Sequence, residues 1–359
     1  MNSVQNIKLS PGLRYTLQSM PRGKDYKNLI THSCNITSYH ITIDSDLNCI
    51  LCGCDGWLPI PVGKIFDFNS LEDVWNSPAA IMLQDDINQK KFTWCAVEHC
   101  GVIHSDIIQK KYSISILIDD SCNLACPSCR REIRMLDSGP EFENKIKNLN
   151  HIMNLIEKFN HPIEIFLGGS GDALASHIVR FMIKNYHPKI GQSFGIATNG
   201  LLIKKLIPDS PMRDYINRFG IGVDAASAKV YEQVRRPGKW KVLLENLQWL
   251  SNNRGSSKVN LTFTVQKTNF KDIPAFAELC QQLNFQGSLQ PLNDWGTWNS
   301  VPVKNPDGYT ITNGTYLDHN VADPIHPEYL EFLTVLQNVS EKNKNLTISP
   351  YLKNLNDPR

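Results

Sequence analysis

Three cysteines lie within eight residues of one another, in the stretch Cys122-Asn-Leu-Ala-Cys126-Pro-Ser-Cys129, and no fourth follows closely. A cubane iron–sulfur cluster has four irons, and each normally takes one cysteine thiolate. A local set of three therefore leaves one iron free for a ligand that is not protein. An open coordination position separates a catalytic metal centre from a closed structural one. The spacing predicts a catalytic cluster at Cys122, Cys126 and Cys129; partial zinc ligation, or a redox pair with a spare cysteine, is the alternative.

This CxxxCxxC spacing resembles the signature of the radical S-adenosylmethionine (radical SAM) enzymes. In that family SAM chelates the unique iron, and an electron from the cluster splits SAM into methionine and a 5′-deoxyadenosyl radical. The resemblance implies a SAM-binding [4Fe–4S] cluster, SAM itself, and an external reductant such as flavodoxin or ferredoxin. The sequence departs from the family at Ser128, where an aromatic residue is common. Another side chain must then pack near the adenine.

Short apolar strands alternate with amphipathic helical patterns from about Ser113 onward. The predicted strands are Ser113–Ile118, Ile163–Leu167, Phe194–Thr198, Gly220–Val223, Val259–Val265 and Gly287–Pro291. Strands interleaved with helices of period 3.6 indicate βα units around a parallel sheet, which is an α/β fold. Ligands of such sheets lie at the carboxyl ends of the strands. Six units fit a partial (β/α)6, TIM-like barrel, which is also the fold that the resemblance implies.

A glycine-rich turn, Leu167-Gly-Gly-Ser-Gly-Asp172, follows the second predicted strand. Radical SAM enzymes usually have Gly-Gly-Glu here, where it holds the SAM ammonium. The resemblance implies that Gly168, Gly169 and either Ser170 or Asp172 bind the cofactor, and glycine lets the backbone approach a ligand closely. The alternative is a plain turn in which Asp172 caps the next helix.

The third and fourth predicted strands also end in polar residues. Thr198-Asn199-Gly200 resembles the family's TNG turn, and Asp224 precedes Arg235 as in related enzymes. The resemblance implies that Thr198, Asn199 and Asp224 contact the cofactor and that Arg235 pairs with the SAM carboxylate, which a planar guanidinium suits. The alternatives are a turn with positive φ and an exposed basic pair on a helix.

A polar and aromatic loop, 293–298, follows the sixth predicted strand with the sequence Asn-Asp-Trp-Gly-Thr-Trp. Its position after a strand places it at the mouth of the predicted barrel, where it would line the substrate or the adenine. Ordinary loop packing is the alternative.

The first hundred residues form a different, cysteine-rich module. Its six cysteines are Cys34, Cys49, Cys52, Cys54, Cys95 and Cys100. A small module with little apolar periodicity usually needs a metal to hold it together. Ser70, with Asp73 three residues later, predicts the start of a helix with a capping box.

This module resembles the SPASM/twitch auxiliary-cluster domain of many radical SAM enzymes, chiefly in Leu71-Glu-Asp-Val-Trp-Asn-Ser77 and in the closing pair of cysteines. The resemblance implies an auxiliary [4Fe–4S] cluster on four of the cysteines, namely Cys34, Cys52, Cys95 and Cys100. Either Cys49 or Cys54 is an alternative to Cys52. A tetrahedral zinc site would use the same thiolates. Familiar members carry this small α+β domain after the barrel, whereas here it precedes the barrel.

Length, composition and charge narrow the possibilities further. A chain of 359 residues suggests two or three domains; the predicted ones are an arm at 1–30, the auxiliary domain at 31–105, the radical SAM core at 106–340 and a polar tail at 341–359. A formal charge of +2 does not favour a nucleic-acid partner, and no apolar run is long enough for a membrane span. Ten cysteines without a signal-peptide pattern indicate reduced thiols or metal ligands in the cytoplasm. Cys280, on an apolar helical stripe, is instead predicted to be a core residue.

These observations predict a radical SAM enzyme of the oxidoreductase type that abstracts a hydrogen atom from its substrate. The resemblance favours modification of a peptide or protein, with the auxiliary cluster aiding oxidation or binding the substrate. Oxidation of a sugar, cyclitol or nucleotide is the alternative within the family. A non-catalytic zinc or iron–sulfur protein, acting as a scaffold or electron carrier, is the alternative from another class.

Overall fold

A computed structural model of the chain describes residues 34–53, 58, 60–95, 100, 109–169, 171–298, 303–304, 310–311, 314–340 and 343–355. The predicted N-terminal arm, Cys54 and Ser170 lie outside these residues. The strands are β1 His40–Ile43, β2 Asn48–Ile50, β3 Pro61–Lys64, β4 Tyr112–Ile116, β5 Ile163–Leu167, β6 Gln192–Thr198, β7 Ile216–Gly222, β8 Lys258–Thr264, β9 Gln286–Gln290, β10 Val303–Lys304, β11 Thr310–Ile311 and β12 Leu346–Ile348. The helices are α1 Leu71–Trp75, α2 Pro78–Asn88, α3 Gly139–Lys158, α4 His177–Asn185, α5 Ile203–Leu206, α6 Ala228–Val234, α7 Trp240–Asn253, α8 Ile273–Leu283, α9 Tyr316–His319, α10 Tyr329–Ser340 and α11 Pro350–Asn354.

The predicted α/β fold is confirmed: parallel strands alternate with helices along the chain. The six predicted strands are β4 to β9, and their ends differ from the prediction by a few residues. The largest difference is at β7, which begins at Ile216 rather than Gly220. Asn217 and Arg218 near its start are polar, so an apolar run predicts only the later part of the strand.

Two compact units divide the chain. The first takes its described residues from Met1–Asp120, Ser138–Ser170 and Tyr186–Phe194, and the second from Ser121–Asp137, Gly171–Asn185 and Gly195–Arg359. Strand β6 contributes residues to both.

In the first unit, the cysteine-rich segment and the start of the predicted core share one sheet. Strand β1 pairs in parallel with β4, with His40 opposite Ser113, and β4 pairs in parallel with β5. Strands β2 and β3 extend the sheet as antiparallel neighbours of β1 and β2. The predicted capping box is confirmed, because Ser70 Oγ accepts the N–H of Asp73 at 3.1 Å and the Asp73 carboxylate accepts the N–H of Ser70 at 3.0 Å.

In the second unit, β7, β8, β9 and β12 are consecutive parallel neighbours. The predicted tail differs from the structure over 343–355, where β12 pairs with β9 and Leu352 of α11 is fully buried. Because this segment is mostly polar, its sequence shows no apolar pattern from which the pairing could be predicted. Helix α8 packs its apolar face inward, with Phe276 against Phe263 at 4.9 Å between ring centroids. Cys280 is fully buried there, which confirms its prediction as a core residue.

No helix among the described residues has the length and apolar character needed to cross a membrane.

Candidate functional site

The loop that carries the three neighbouring cysteines is tied together by its own backbone. Cys122 and Arg134 form an antiparallel bridge, in which the N–H of Cys122 donates to the carbonyl of Arg134 at 2.7 Å. The N–H of Cys129 donates to the carbonyl of Cys126 at 2.9 Å. Cys126 is buried, Cys122 is half-buried and Cys129 is exposed. The three thiols of the loop therefore range from buried to exposed.

Burial controls the chemistry of these thiols. It raises the pKa of Cys122, and it raises the pKa of Cys126 to about 12 although the neighbouring Arg235 guanidinium acts in the opposite direction. Cys122 and Cys129 raise the pKa of Cys126 further, which places the three thiols within electrostatic reach of one another. Because a metal ligand must be a thiolate, loading a cluster here must release protons.

Over the described ranges, no group of three or more His, Cys, Asp or Glu side chains converges on one metal-ion position. The thiols of Cys122, Cys126 and Cys129 are the groups in this loop that would hold an iron–sulfur cluster, because such clusters are bound by cysteine thiolates.

Asp224 and Arg235, both predicted to bind the cofactor, form a buried ion pair next to this loop. Arg235 Nη2 lies 2.7 Å from Asp224 Oδ2, and Arg235 Nη1 lies 3.9 Å from Cys126 Sγ. Burial raises the pKa of Asp224, while the charge of Arg235 opposes that rise. Asp224 also accepts the N–H of Thr264 at 2.7 Å. The Arg235 guanidinium thus faces the carboxylate of Asp224 and the thiol of Cys126.

Asp172, Thr198 and Asn199 meet in a buried hydrogen-bond network. The Asp172 carboxylate accepts the N–H of Ala175 at 2.7 Å, the hydroxyl of Thr198 at 3.0 Å and the N–H of Asn199. It therefore holds the turn that follows it. It does not cap the next helix, α4, where Ser176 Oγ accepts the N–H of Val179 at 3.1 Å. The Asn199 amide Nδ2 donates to Asn123 Oδ1 at 2.8 Å, which joins the predicted TNG turn to the cysteine loop.

Gly168 and Gly169 belong to the first unit. Gly169 has φ +135°, and a Cβ on it would lie 3.3 Å from the Cα of Leu117 and 3.5 Å from the carbonyl oxygen of Asp119. A backbone that passes so close to its neighbour explains glycine here without a ligand. The role of these two glycines in binding SAM stays a prediction.

Loop 293–298 is attached to the cysteine loop. Thr297 Oγ1 donates to the carbonyl of Pro127 at 3.0 Å, and Arg131 Nη2 donates to the carbonyl of Gly296 at 3.3 Å. Trp298 is buried against His319, with 4.2 Å between ring centroids, whereas Trp295 is 55% exposed. Sequence reasoning identified the loop but missed Arg131 and His319, because no local pattern marks either residue as its partner.

The predicted auxiliary cysteines lie in the first unit and differ in their surroundings. Cys52, Cys95 and Cys100 are buried, and Cys34 is half-buried. The pKa of Cys34 is raised by burial and also by the nearby Cys100. The pKa of Cys49 is instead raised by burial and by two carboxylates, those of Asp44 and Asp67. Cys49 therefore lies in an acidic environment.

Gly200, in the predicted TNG turn, provides a stability test of this part of the site. It has φ +83°, and a Cβ there would lie 2.8 Å from Leu243 Cδ1 and 2.9 Å from Ile221 Cγ2. Gly200→Ala should lower the free energy of unfolding by about 2–4 kcal/mol, since left-handed strain and overpacking add. Gly255→Ala is the matched control, because Gly255 has φ +56° and an added Cβ there meets nothing within 4 Å; it should cost about 1–2 kcal/mol. Urea unfolding of the full chain measures both, and equal losses would refute the packing argument.

Comparison with known proteins relates part of the chain to one family. A family model described as the radical SAM superfamily matches residues 116–280. An AdoMet-dependent heme synthase of Oleidesulfovibrio alaskensis is 26% identical over 165 residues, which are 45% of this chain and 40% of that protein. The chain thus spans about two fifths of the length of this curated relative.

Solved structures give a weaker likeness. SuiB of Streptococcus suis bound to S-adenosylmethionine aligns with a TM-score of 0.41 and 15% identity, over 73% of this chain and 56% of that one. The structure of anSMEcpe with bound AdoMet and a Cp18Cys peptide aligns with a TM-score of 0.39 and 14% identity, over 66% of this chain and 62% of that one. The assignment depends instead on the family match, which contains the three-cysteine loop, Asp172, the Thr198–Asn199 turn and the Asp224–Arg235 pair. Residues 116–280 of this chain match the radical SAM superfamily.

Proposed function

We propose that this protein cleaves S-adenosylmethionine reductively at a [4Fe–4S] cluster held by Cys122, Cys126 and Cys129, and abstracts a hydrogen atom from its substrate. The observation that carries the proposal is the three-thiol loop inside the matched region, with one thiol buried beside a charged arginine. When bound, the cluster supplies the electron that converts SAM into methionine and a 5′-deoxyadenosyl radical.

The chain's own residues hold the cysteine loop in place. The Asn123–Asn199 hydrogen bond joins it to the end of β6, and the Thr297 hydroxyl joins it to the loop after β9. These attachments would fix the open side of the cluster relative to Asn199 and to the exposed Trp295. Because Ser128 replaces the usual aromatic residue, Trp295 is the side chain that we assign to pack against the adenine or the substrate.

The substrate class that we propose is a peptide or protein, so the enzyme is an oxidoreductase that modifies another chain. The cysteine-rich module supports this choice through its resemblance to the SPASM/twitch domain, in which an auxiliary cluster accepts an electron from the substrate or anchors it. We place the enzyme in the cytoplasm, where thiols stay reduced. A flavodoxin or ferredoxin is the reductant that we expect there.

Anaerobic reconstitution of the full chain tests the proposal. The reconstituted protein should bind about eight irons per chain and form 5′-deoxyadenosine when dithionite and SAM are added. The same assay with candidate peptides and with sugars or nucleotides should show faster turnover with a peptide. A colourless protein that binds zinc, or an iron–sulfur protein that leaves SAM intact, would contradict the proposal. Faster turnover with a sugar would contradict only the substrate class.

A further inference from the structure

We propose that Arg235 is a positioning residue for the thiolate of Cys126, and that Asp224 holds it in that role. The guanidinium would donate a hydrogen bond to this ligand of the cluster and thereby raise the cluster's reduction potential. This inference builds on the proposed function, because it assumes a cluster on Cys126. It differs from the role that the family resemblance implies, in which the same arginine binds the SAM carboxylate.

The geometry of the guanidinium supports this role. Its Nη2 binds Asp224 at 2.7 Å, while its Nη1 faces Cys126 Sγ at 3.9 Å, at the long end of the range for a hydrogen bond to sulfur. Both partners of Arg235 are thus buried protein groups.

The surrounding backbone is shaped to hold this guanidinium. Gly222, the last residue of β7, has space only for hydrogen, because a Cβ there would overlap the Arg235 guanidinium. Asp224 is fixed by the Thr264 N–H, and its own carbonyl accepts Asn269 Nδ2 at 2.9 Å. A rigid carboxylate limits the directions in which Arg235 can point. The arginine is therefore preorganised toward the cysteine before any cofactor binds.

Unused donors lie next to the same cysteine. Arg235 Nε, and Nε and Nη2 of Arg236, are buried and make no hydrogen bond with the described residues. Arg236 also lies within electrostatic reach of Cys126, and its carbonyl accepts the N–H of Ala125 at 2.6 Å. Buried donors without partners are costly. Thiolates and the sulfides of an iron–sulfur cluster would supply the missing acceptors.

The charge balance predicts the direction of the effect. Reduction adds one negative charge to the cluster, and a positive donor at a ligand stabilises the more negative state. Hydrogen bonds to the sulfurs and net charge are among the factors that set iron–sulfur potentials. Without the Arg235 guanidinium, the reduced cluster loses more stabilisation than the oxidised one. The potential should therefore fall when the guanidinium is removed.

A redox titration of the reconstituted full chain, monitored by electron paramagnetic resonance, tests this inference without using turnover. The titration is run without SAM, and the signal of the cluster on Cys126 is identified as the one that changes when SAM is added afterwards. In Arg235→Gln, the ratio of reduced to oxidised cluster at a fixed potential should fall about tenfold, which is about 59 mV for one electron. Arg235→Lys keeps the charge but loses the planar fork, so its shift should be smaller.

Arg213→Gln is the matched control, because Arg213 lies at the surface with its side chain 47% exposed and 4.0 Å from Asp214. Its potential should equal that of the unmodified protein. If Arg235→Gln does not bind the cluster, the shift in Arg235→Lys decides the question. Unchanged potentials in the variants that bind the cluster, combined with weaker SAM binding, would overturn the inference and favour the carboxylate role. Failure of the unmodified protein to bind a SAM-responsive cluster would overturn the proposed function as well.

Discussion

Cys126→Ala is expected to lower 5′-deoxyadenosine formation to background and to remove about four irons per chain. Cys126 is the buried member of the three-thiol loop, and its backbone carbonyl also accepts the N–H of Cys129. Two remaining cysteines cannot hold a cubane that already has one iron without a protein ligand. Replacing Cys122 or Cys129 in the same way should have the same effect. Iron content and 5′-deoxyadenosine are measured after anaerobic reconstitution with dithionite and SAM.

Cys280→Ala is the matched control for this prediction. Cys280 is also fully buried and belongs to the same unit, but it lies on α8 among apolar side chains, and burial raises the pKa of its thiol to about 12. Its replacement should cost about 1 kcal/mol of stability from a small cavity and leave iron content and SAM cleavage unchanged. Loss of activity in Cys280→Ala, or its retention in Cys126→Ala, would remove the basis of the proposed catalytic site.

Much of the fold and of the site follows from local sequence patterns. Two examples are the apolar strand Ile163–Leu167 and the helical stripe of Trp240, Leu243 and Leu247. In each, the spacing of the apolar residues along the chain indicates one type of secondary structure. The cysteine triplet is likewise a local pattern, because three cysteines within eight residues of one loop are necessarily close in space. Residues that follow successive parallel strands then come to the same edge of the sheet, so the placement of Thr198 and Asp224 follows from topology alone.

The partners of the site residues could not be predicted in this way. A guanidinium six bonds from its backbone can reach several groups, and the spacing of Arg235 in the chain does not distinguish a SAM carboxylate from Asp224 or Cys126. The same holds for Asn123 and Asn199, which are 76 residues apart and meet through their side-chain amides. Asp172 shows the reverse case: a residue expected to bind the cofactor has its carboxylate occupied by Ala175, Thr198 and Asn199.

The second prediction with a large effect concerns the proposed auxiliary cluster. It tests which cysteines of the N-terminal module bind that cluster. Cys34→Ala should remove about four of the eight irons expected per chain and leave SAM cleavage that is uncoupled from substrate oxidation. Cys95→Ala and Cys100→Ala should behave in the same way. The physical reason is the electrostatic contact between Cys34 and Cys100, which lie 66 positions apart in the chain and are brought together by the fold.

Cys49→Ala should keep all of the iron, and this makes it the matched control within the same module. Although Cys49 is as buried as Cys52, its charged neighbours are Asp44 and Asp67, and two carboxylates next to a thiolate disfavour a cluster that already carries negative charge. Iron analysis of the reconstituted variants separates the two cysteines directly. Loss of iron in Cys49→Ala with full retention in Cys52→Ala would reassign the ligand, and full retention in Cys34→Ala, Cys95→Ala and Cys100→Ala alike would refute the auxiliary cluster. Because these residues lie outside the matched region 116–280, SAM cleavage should survive each of these replacements, so the two sites can be tested independently.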